Sequence, residues 1–503
     1  MTALNDDNFK KRLKNLRRKK KKIVLCHGVF DLLHLGHLKH LKSAKSLGDY
    51  LIVSVTSNRF IKKGPGQPIF NQQQRKEFLN ELKIVDEVII SDTESAEDVI
   101  RTVKPNFYVK GPDYKINKLD KSKKIFYEKK LVQKYGGEVK YTNDITFSST
   151  NIINKSNYIF NEDQRIFIEK IKKKFSYEKI FQLLQSLKKL KVYIVGELII
   201  DNYCFGNVIG KSGKEPHLVL KNSYNETYVG GSGAIARHIS SFVKSVEVLS
   251  PFGFEDHLQK ILKKTFNKNV KNNFIKLDSK YQTITKTRFV DEVSNYKLFG
   301  SYTLPEKMSK NQENKLIKKI RKIRFFDLVL VSDYGHNFIT NSMAKEIIKY
   351  KKFITINAQT NSSNIGYHTI NKYFNYDVAV INENELRQEF RDNITDIKVL
   401  SKKLIKKNKI KKIIVTIGKK GAFLIEKNSK TIYCPAFARS SVDKVGAGDA
   451  MLSLVSICLK NNFDPQLALF IGSIAASISV QSLGNKENVD FYKLDRLIEH
   501  LLK

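Results

Sequence analysis

Tryptophan is absent from this 503-residue chain, and the sequence holds only 9 Pro and 4 Cys. The thiols, Cys26, Cys204, Cys434 and Cys458, lie far apart with no CxxC pair, which argues against a disulfide framework and a zinc site and predicts a reducing, cytoplasmic setting. Long apolar runs are also missing. The longest, LALFIGSIAASISV at 467–480, is too short to span a bilayer and predicts a buried helix. The first residues, MTALNDDNFKKRLKNLRRKKKK, are charged without an apolar core, so no export segment is expected.

Lysine is what the chain has in excess. Lys and Arg number 90 against 50 Asp and Glu, a formal charge of +40. A charge of that size raises the idea of a basic nucleic-acid-binding protein, and clusters at 10–22 and 402–412 keep that alternative open. Lys is nevertheless scattered through every segment alongside abundant Asn and Ile, which reads as coding bias and solvated faces. No nucleic acid or membrane partner is expected; phosphorylated substrates are favoured.

From about 22 to 153 short apolar runs alternate with helical patterns: IVLCHG, DYLIVSVTS, VDEVIIS and FYVKG mark strands. Residues 154–190 turn amphipathic and Lys-rich. A second alternation begins at VYIVGELIID and continues through FDLVLVSDYG, YDVAVINENE and KKIIVTIGKKGAFLIE. The pattern predicts an α/β protein with two doubly wound domains, 1–155 and 190–503, joined by a helical stretch over 156–189. Within the second, FGNVIGKSGKEPHLVLK predicts paired strands forming a small β lid.

The stretch CHGVFDLLHLGH places His34 and His37 three apart, with Gly36 between them, where a strand gives way to a helix. Residues at i and i+3 share a helical face, and a helix start offers unpaired N–H groups and partial positive charge to an anion. Gly28 and Phe30 lie in the same turn. Three later stretches also suit phosphate binding, namely KKGPGQP with Lys63, KGPDY with Lys110, and SSTNII with Ser148, Ser149 and Thr150 at a helix start. Arg75 is a candidate phosphate partner or a surface helix charge. Together these segments resemble the HxGH nucleotidyltransferase superfamily, whose members join a phosphorylated alcohol or sugar to a nucleoside monophosphate. The resemblance implies a Rossmann-like nucleotidyltransferase domain in which His34 and His37 stabilise charge on the transferred phosphorus. Gln67 stands where an arginine is expected.

Near the C-terminus, VDKVGAGDAM sets Gly446, Ala447 and Gly448 around a turn that opens a helix, with Asp449 inside it. Such a turn makes an anion hole, and a carboxylate beside it can take a proton from a hydroxyl attacking a phosphate. The motif resembles the GAGD signature of ribokinase-type sugar kinases. That resemblance implies a ribokinase-like fold, Asp201 binding sugar hydroxyls, Gly230, Gly231 and Gly233 lining the sugar pocket, Asn382 and Glu385 near substrate phosphate with Glu385 an indirect Mg²⁺ partner, and Gly418 and Gly421 on the nucleotide side. Lys444, NAQTNSSN at 357–364 and His336 depart from the family pattern.

The pair of domains resembles the bifunctional heptose-phosphate kinase and heptose 1-phosphate adenylyltransferase family of lipopolysaccharide precursor synthesis, with the domains in reversed order. It implies a cytoplasmic enzyme using Mg²⁺ with ATP in one domain and ATP or CTP in the other, acting on a sugar phosphate. A homodimer is left open. The rival readings are a monofunctional nucleotidyltransferase carrying a non-catalytic sugar-binding domain, and the nucleic-acid binder.

Overall fold

The computed structural model describes residues 6–61, 68–93, 95–111, 124–142, 160–278, 281–306, 308–427, 431–438 and 442–502. Contacts divide the chain into two compact units, Met1–Asn161 with Lys503, and Glu162–Leu502.

In the first unit, strands β1 (Ile23–Gly28), β2 (Tyr50–Thr56), β3 (Glu87–Ser91), β4 (Phe107–Lys110) and β5 (Glu138–Tyr141) form a parallel sheet in the order β3-β2-β1-β4-β5. Both faces are covered, which is why these strands read as unbroken apolar runs. Leu25 and Ile52 pack to one side with Val99 and Ile100, while Val24 and Val53 pack to the other with Leu41 and Leu79. The helix Asp7–Arg18 is capped by Asp6, whose carboxylate accepts from Asn8 N at 2.9 Å, and it buries Phe9 and Leu13 in the first of these clusters. Strand order reverses between β1 and β4, so their carboxyl ends flank the crevice where an open α/β sheet binds its ligand.

The helices Glu162–Lys174 and Tyr177–Ser186, read from sequence as a connection, pack within the second unit. Phe167 meets the rings of Phe437 and Phe470 at 6.4 and 6.1 Å, and Tyr177 donates to Asp495 at 2.8 Å.

Among the described residues the second unit holds a nine-stranded sheet. It runs β10 (Val270–Asn272), β9 (Ser245–Leu249), β6 (Lys191–Gly196), β13 (Leu328–Asp333), β14 (Phe353–Ala358), β15 (Val378–Asn382), β16 (Lys412–Thr416), β17 (Ala422–Glu426), β18 (Ile432–Cys434). It is parallel from β10 to β16 and antiparallel beyond. Its order reverses between β6 and β13.

A separate sheet, β12 (Lys297–Thr303), β11 (Thr285–Asp291), β7 (Leu198–Lys211), β8 (Leu218–Gly231), contains the expected hairpin and two strands that the sequence did not announce. Within it Lys286 lies in register with Asp201 across the parallel β7–β11 pair, placing both side chains on one face. The run at 467–480 falls, up to its last residue, in the buried helix Pro465–Ser479, and no helix among the described residues is long and apolar enough to cross a membrane. All four cysteines are free.

Candidate active sites

The turn that leaves β1 is strained. Phe30 and Leu32, neither of them glycine, hold φ of 51° and 48°, in the left-handed region that costs an ordinary residue energy and recurs at functional sites. The turn delivers His34 to the N-cap of the helix Leu35–Lys45, where its Nδ1 accepts from Gly36 N at 3.1 Å. Burial lowers the His34 pKa, so the ring is neutral near pH 7. With Nδ1 accepting, the proton resides on Nε2, a donor suited to a phosphate oxygen. The His37 ring stacks on His34 with centroids 4.0 Å apart, and Phe30 tilts against His37 at 5.7 Å. A Cβ on Gly28 would press on the Phe30 ring at 3.3 Å, so Gly28 keeps the turn tight. The structure thus brings Gly28, Phe30, His34, Gly36 and His37 to the carboxyl end of β1.

Lys110 ends β4 on the other side of the crevice. It forms a buried ion pair with Glu128 at 3.4 Å, and Glu128 also accepts from Tyr108 Oη at 3.0 Å and Ala96 N at 3.1 Å. Burial pushes the Glu128 carboxyl up, but Lys110, His27 and these hydrogen bonds outweigh it and hold the pKa below its ordinary value. Sequence reading missed Glu128, because its burial against Lys110 depends on contacts distant in sequence. It also missed Asp31, which accepts from Ile69 N at 2.7 Å and Phe70 N at 3.1 Å.

Arg75 requires a correction. It is not a surface charge: it is 1% exposed, and its guanidinium donates to Phe70 O, Val29 O, Thr56 O and Asn58 Oδ1 at 2.9, 2.6, 3.0 and 2.7 Å. Four of its five N–H bonds hold the protein's own loops together. Lys63, Ser148, Ser149 and Thr150 lie outside the described residues.

In the second unit the helix Ala447–Lys460 starts at Gly446, whose φ is +87°. A Cβ there would collide with Asn485 Oδ1, whereas one on Gly448 would meet nothing, so the helix start has open space above it. Ala447 begins the helix and Asp449 sits in its first turn, buried, with Oδ1 accepting from Tyr334 Oη at 2.6 Å. Burial pushes the Asp449 carboxyl up to about 7.

Asp201, on β7, is held from both sides. Arg288 Nη1 donates to Oδ1 at 2.6 Å, and Asn485 Nδ2 donates to Oδ2 at 3.1 Å. Gly230 lies against it, for a Cβ there would collide with Asp201 Oδ2. Gly231 adopts φ +57° and passes close to the Glu197 carbonyl, and Gly233 packs on Val229 and Leu198. Beside Asp201, Lys286 is 7% exposed, its pKa lowered by burial. Gly418 and Gly421 form the positive-φ turn between β16 and β17, with φ of 60° and 109°.

Asn382 and Glu385 have a local structural role. Glu385 N donates to Asn382 Oδ1 at 2.8 Å, and Asn382 N donates to Glu385 Oε2 at 2.8 Å. This capping box opens the helix Glu383–Phe390. Glu385 Oε1 takes a further N–H from Thr360 at 3.2 Å. Burial raises the Glu385 carboxyl to about 7, and Asp449 adds repulsion. Among the described residues no group of three or more His, Cys, Asp or Glu could hold a metal by itself.

Residues 189–490 match the pfkB family of carbohydrate kinases. The chain belongs to that family. Residues 25–155, ahead of the pfkB region, match the cytidylyltransferase-like family. The chain is similar to the bifunctional protein HldE of Koribacter versatilis, 35% identical over 323 residues that are 63% of this chain and 65% of that one. It is 24% identical to HldE of Bradyrhizobium diazoefficiens over 60% of this chain and 62% of that one, and 37% identical to HldE of Syntrophotalea carbinolica over 28% of each. It thus spans less than two thirds of the length of each of these relatives. The pfkB unit shares its fold with Escherichia coli phosphofructokinase-2 in a crystal structure with potassium, at 15% identity and TM-score 0.52, covering 62% of this chain and 100% of that one.

Proposed function

We propose that the chain is a bifunctional enzyme that phosphorylates a sugar and couples a sugar phosphate to a nucleotide, making a nucleotide-activated sugar for cell-surface polysaccharide in the cytoplasm. The observation that carries this reading is the presence of an anion cradle in each of two separate units, one under stacked imidazoles and one at a glycine turn holding a buried acid. Heptose is the sugar class implied by the sequence resemblance and by the HldE relatives.

In the pfkB unit, Asp201 and the glycines around it orient the sugar. Asp449, once ionised, takes the proton of the acceptor hydroxyl as that oxygen attacks the γ-phosphate of ATP. The N–H groups at the start of the helix Ala447–Lys460 face the phosphate and accept its growing charge. Mg²⁺ arriving with ATP would neutralise phosphate charge, and Glu385 is the residue that would act on it indirectly. In the first unit the neutral His34 offers Nε2–H to the α-phosphate, and His37 supports it from the stacked position.

The cytidylyltransferase-like match at 25–155 precedes the pfkB match at 189–490, and the reading takes this order to be the reverse of that in the family the sequence resembles. The rival reading, a sugar-binding pfkB unit without turnover, draws support from Asp201, whose two oxygens are already engaged by Arg288 and Asn485. ATP consumption by the parent and by Asp449→Asn, across sugars and sugar phosphates, separates the two: loss in the variant supports the kinase, and equal rates support the rival.

A further inference from the structure

The segment NAQTNSSN, which stands where the kinase pattern leads one to expect an aspartate, has a definite place in the fold. Asn361 Nδ2 and Asn364 Nδ2 both donate to the carbonyl of Tyr334, at 2.7 and 2.8 Å. Two amides saturate both lone pairs of that oxygen. The asparagines also brace each other: Asn361 N donates to Asn364 Oδ1 at 2.8 Å, and Asn364 N to Asn361 O at 3.0 Å. Gln359 N reaches Asp333 O at 2.8 Å. On the other flank Glu197 accepts from Tyr334 N at 3.0 Å and His336 N at 3.1 Å. Gly335 adopts φ +68°, and a Cβ on it would collide with Asn364 Nδ2, so the close approach requires glycine.

Tyr334 is therefore fixed at its N–H and its C=O, and its hydroxyl ends 2.6 Å from Asp449 Oδ1. We propose that Tyr334 is the positioning residue of the base Asp449, and that Asn361 and Asn364 form a clasp that holds Tyr334 in place. The phenol fixes one carboxylate oxygen, leaving Oδ2 to face the acceptor hydroxyl. The clasp gives the asparagine-rich segment a role unrelated to metal binding. Its catalytic consequence rests on the kinase reading of Asp449.

A hydrogen bond to the ionised form favours that form, so Tyr334 lowers the Asp449 pKa against the larger effect of burial. The other charged groups acting on Asp449 are Asp201 from β7, Lys286 from β11 and Glu385 from the helix Glu383–Phe390. None of these residues is itself substituted in the variants below.

The test is the titration midpoint of the Asp449 carboxyl, followed by carbon NMR on full-length protein labelled at aspartate and assigned by the signal lost in Asp449→Asn. Tyr334→Phe should move the midpoint upward by roughly one pH unit, an about tenfold change in proton affinity. Asn361→Ala combined with Asn364→Ala, which keeps the phenol but frees its backbone, should move it in the same direction by less. If Tyr334→Phe does not fold, the double asparagine variant decides alone. An unchanged midpoint in either folded variant overturns the clasp. Turnover gives the second readout: the acid limb of kcat should shift with the midpoint while KM for the sugar changes little, whereas a merely structural loss would depress kcat equally at every pH. A parent without kinase turnover whose midpoint still responds to Tyr334→Phe would sink the kinase reading and leave the clasp standing.

Discussion

Replacing Arg75 by methionine separates the structural account of this residue from the phosphate contact suggested by sequence. The guanidinium makes four hydrogen bonds to Phe70, Val29, Thr56 and Asn58 while 1% exposed. Four bonds to a charged donor at ~1.5 kcal/mol each give ~6 kcal/mol, and release of the guanidinium's desolvation cost, with water serving some of the carbonyls, returns about half. A net loss of ~3 kcal/mol should reduce protection of the first unit's core amides about 100-fold. The chain has no tryptophan to report unfolding, so the assay is hydrogen exchange by mass spectrometry on peptides covering β1 and β2. Arg75→Lys keeps the charge but carries its donors on one nitrogen, and should restore less than half of the loss. Unchanged protection in Arg75→Met, together with a raised KM for the nucleoside triphosphate, would refute the reasoning and return Arg75 to the phosphates.

Further expectations concern the two sites. His37→Ala should lower nucleotidyl transfer by about 100-fold or more while leaving kinase turnover at the parental rate, measured as pyrophosphate release against ADP formation. Gly230→Ala inserts a methyl into Asp201 and should raise the sugar KM at least tenfold with ATP affinity unchanged, as followed by initial rates. Kinase activity should fall about tenfold per pH unit below 7, because Asp449 must be ionised to act and its carboxyl is pushed up to about 7. Asp449, Glu197 and Glu385 are all raised to about 7, so the folded second unit binds protons more tightly than the unfolded chain. The stability they lend is complete below about pH 4 and is lost as pH rises through 7. Ligand-free protein should therefore show a higher midpoint for the second unit at pH 6 than at pH 8 in urea titrations.

The alternation of strand and helix was legible because buried parallel strands are continuous apolar runs, and both phosphate motifs were legible because a strand end, a glycine turn and a helix start are contiguous in sequence. The lid strands β11 and β12, TKTRFVD and KLFGSYT, were not, because a partly exposed sheet carries Lys, Arg, Ser and Thr among its apolar residues. Burial of Arg75 and Arg288 depends on acceptors far away in sequence, which no periodicity reports. Asn382 and Glu385 have a local role that the sequence also spells out. NENE spells a local capping box, which sequence reading did not name beside the role implied by resemblance. The asparagine clasp acts on a carbonyl some thirty residues upstream and becomes visible only once β13 and β14 lie side by side.

The central claim, that two separate sites in one chain each carry out phosphorus chemistry, is tested most directly by product analysis of three proteins. Parent, His37→Ala and Asp449→Asn would each be incubated with ATP or CTP and a panel of heptoses, hexoses and their phosphates, and the products identified by mass. The account predicts phosphorylated sugar and nucleotide-sugar from the parent, only phosphorylated sugar from His37→Ala, and only nucleotide-sugar, made from supplied sugar 1-phosphate, from Asp449→Asn. Loss of both products in either folded single variant, or neither product from the parent across the panel, would contradict it.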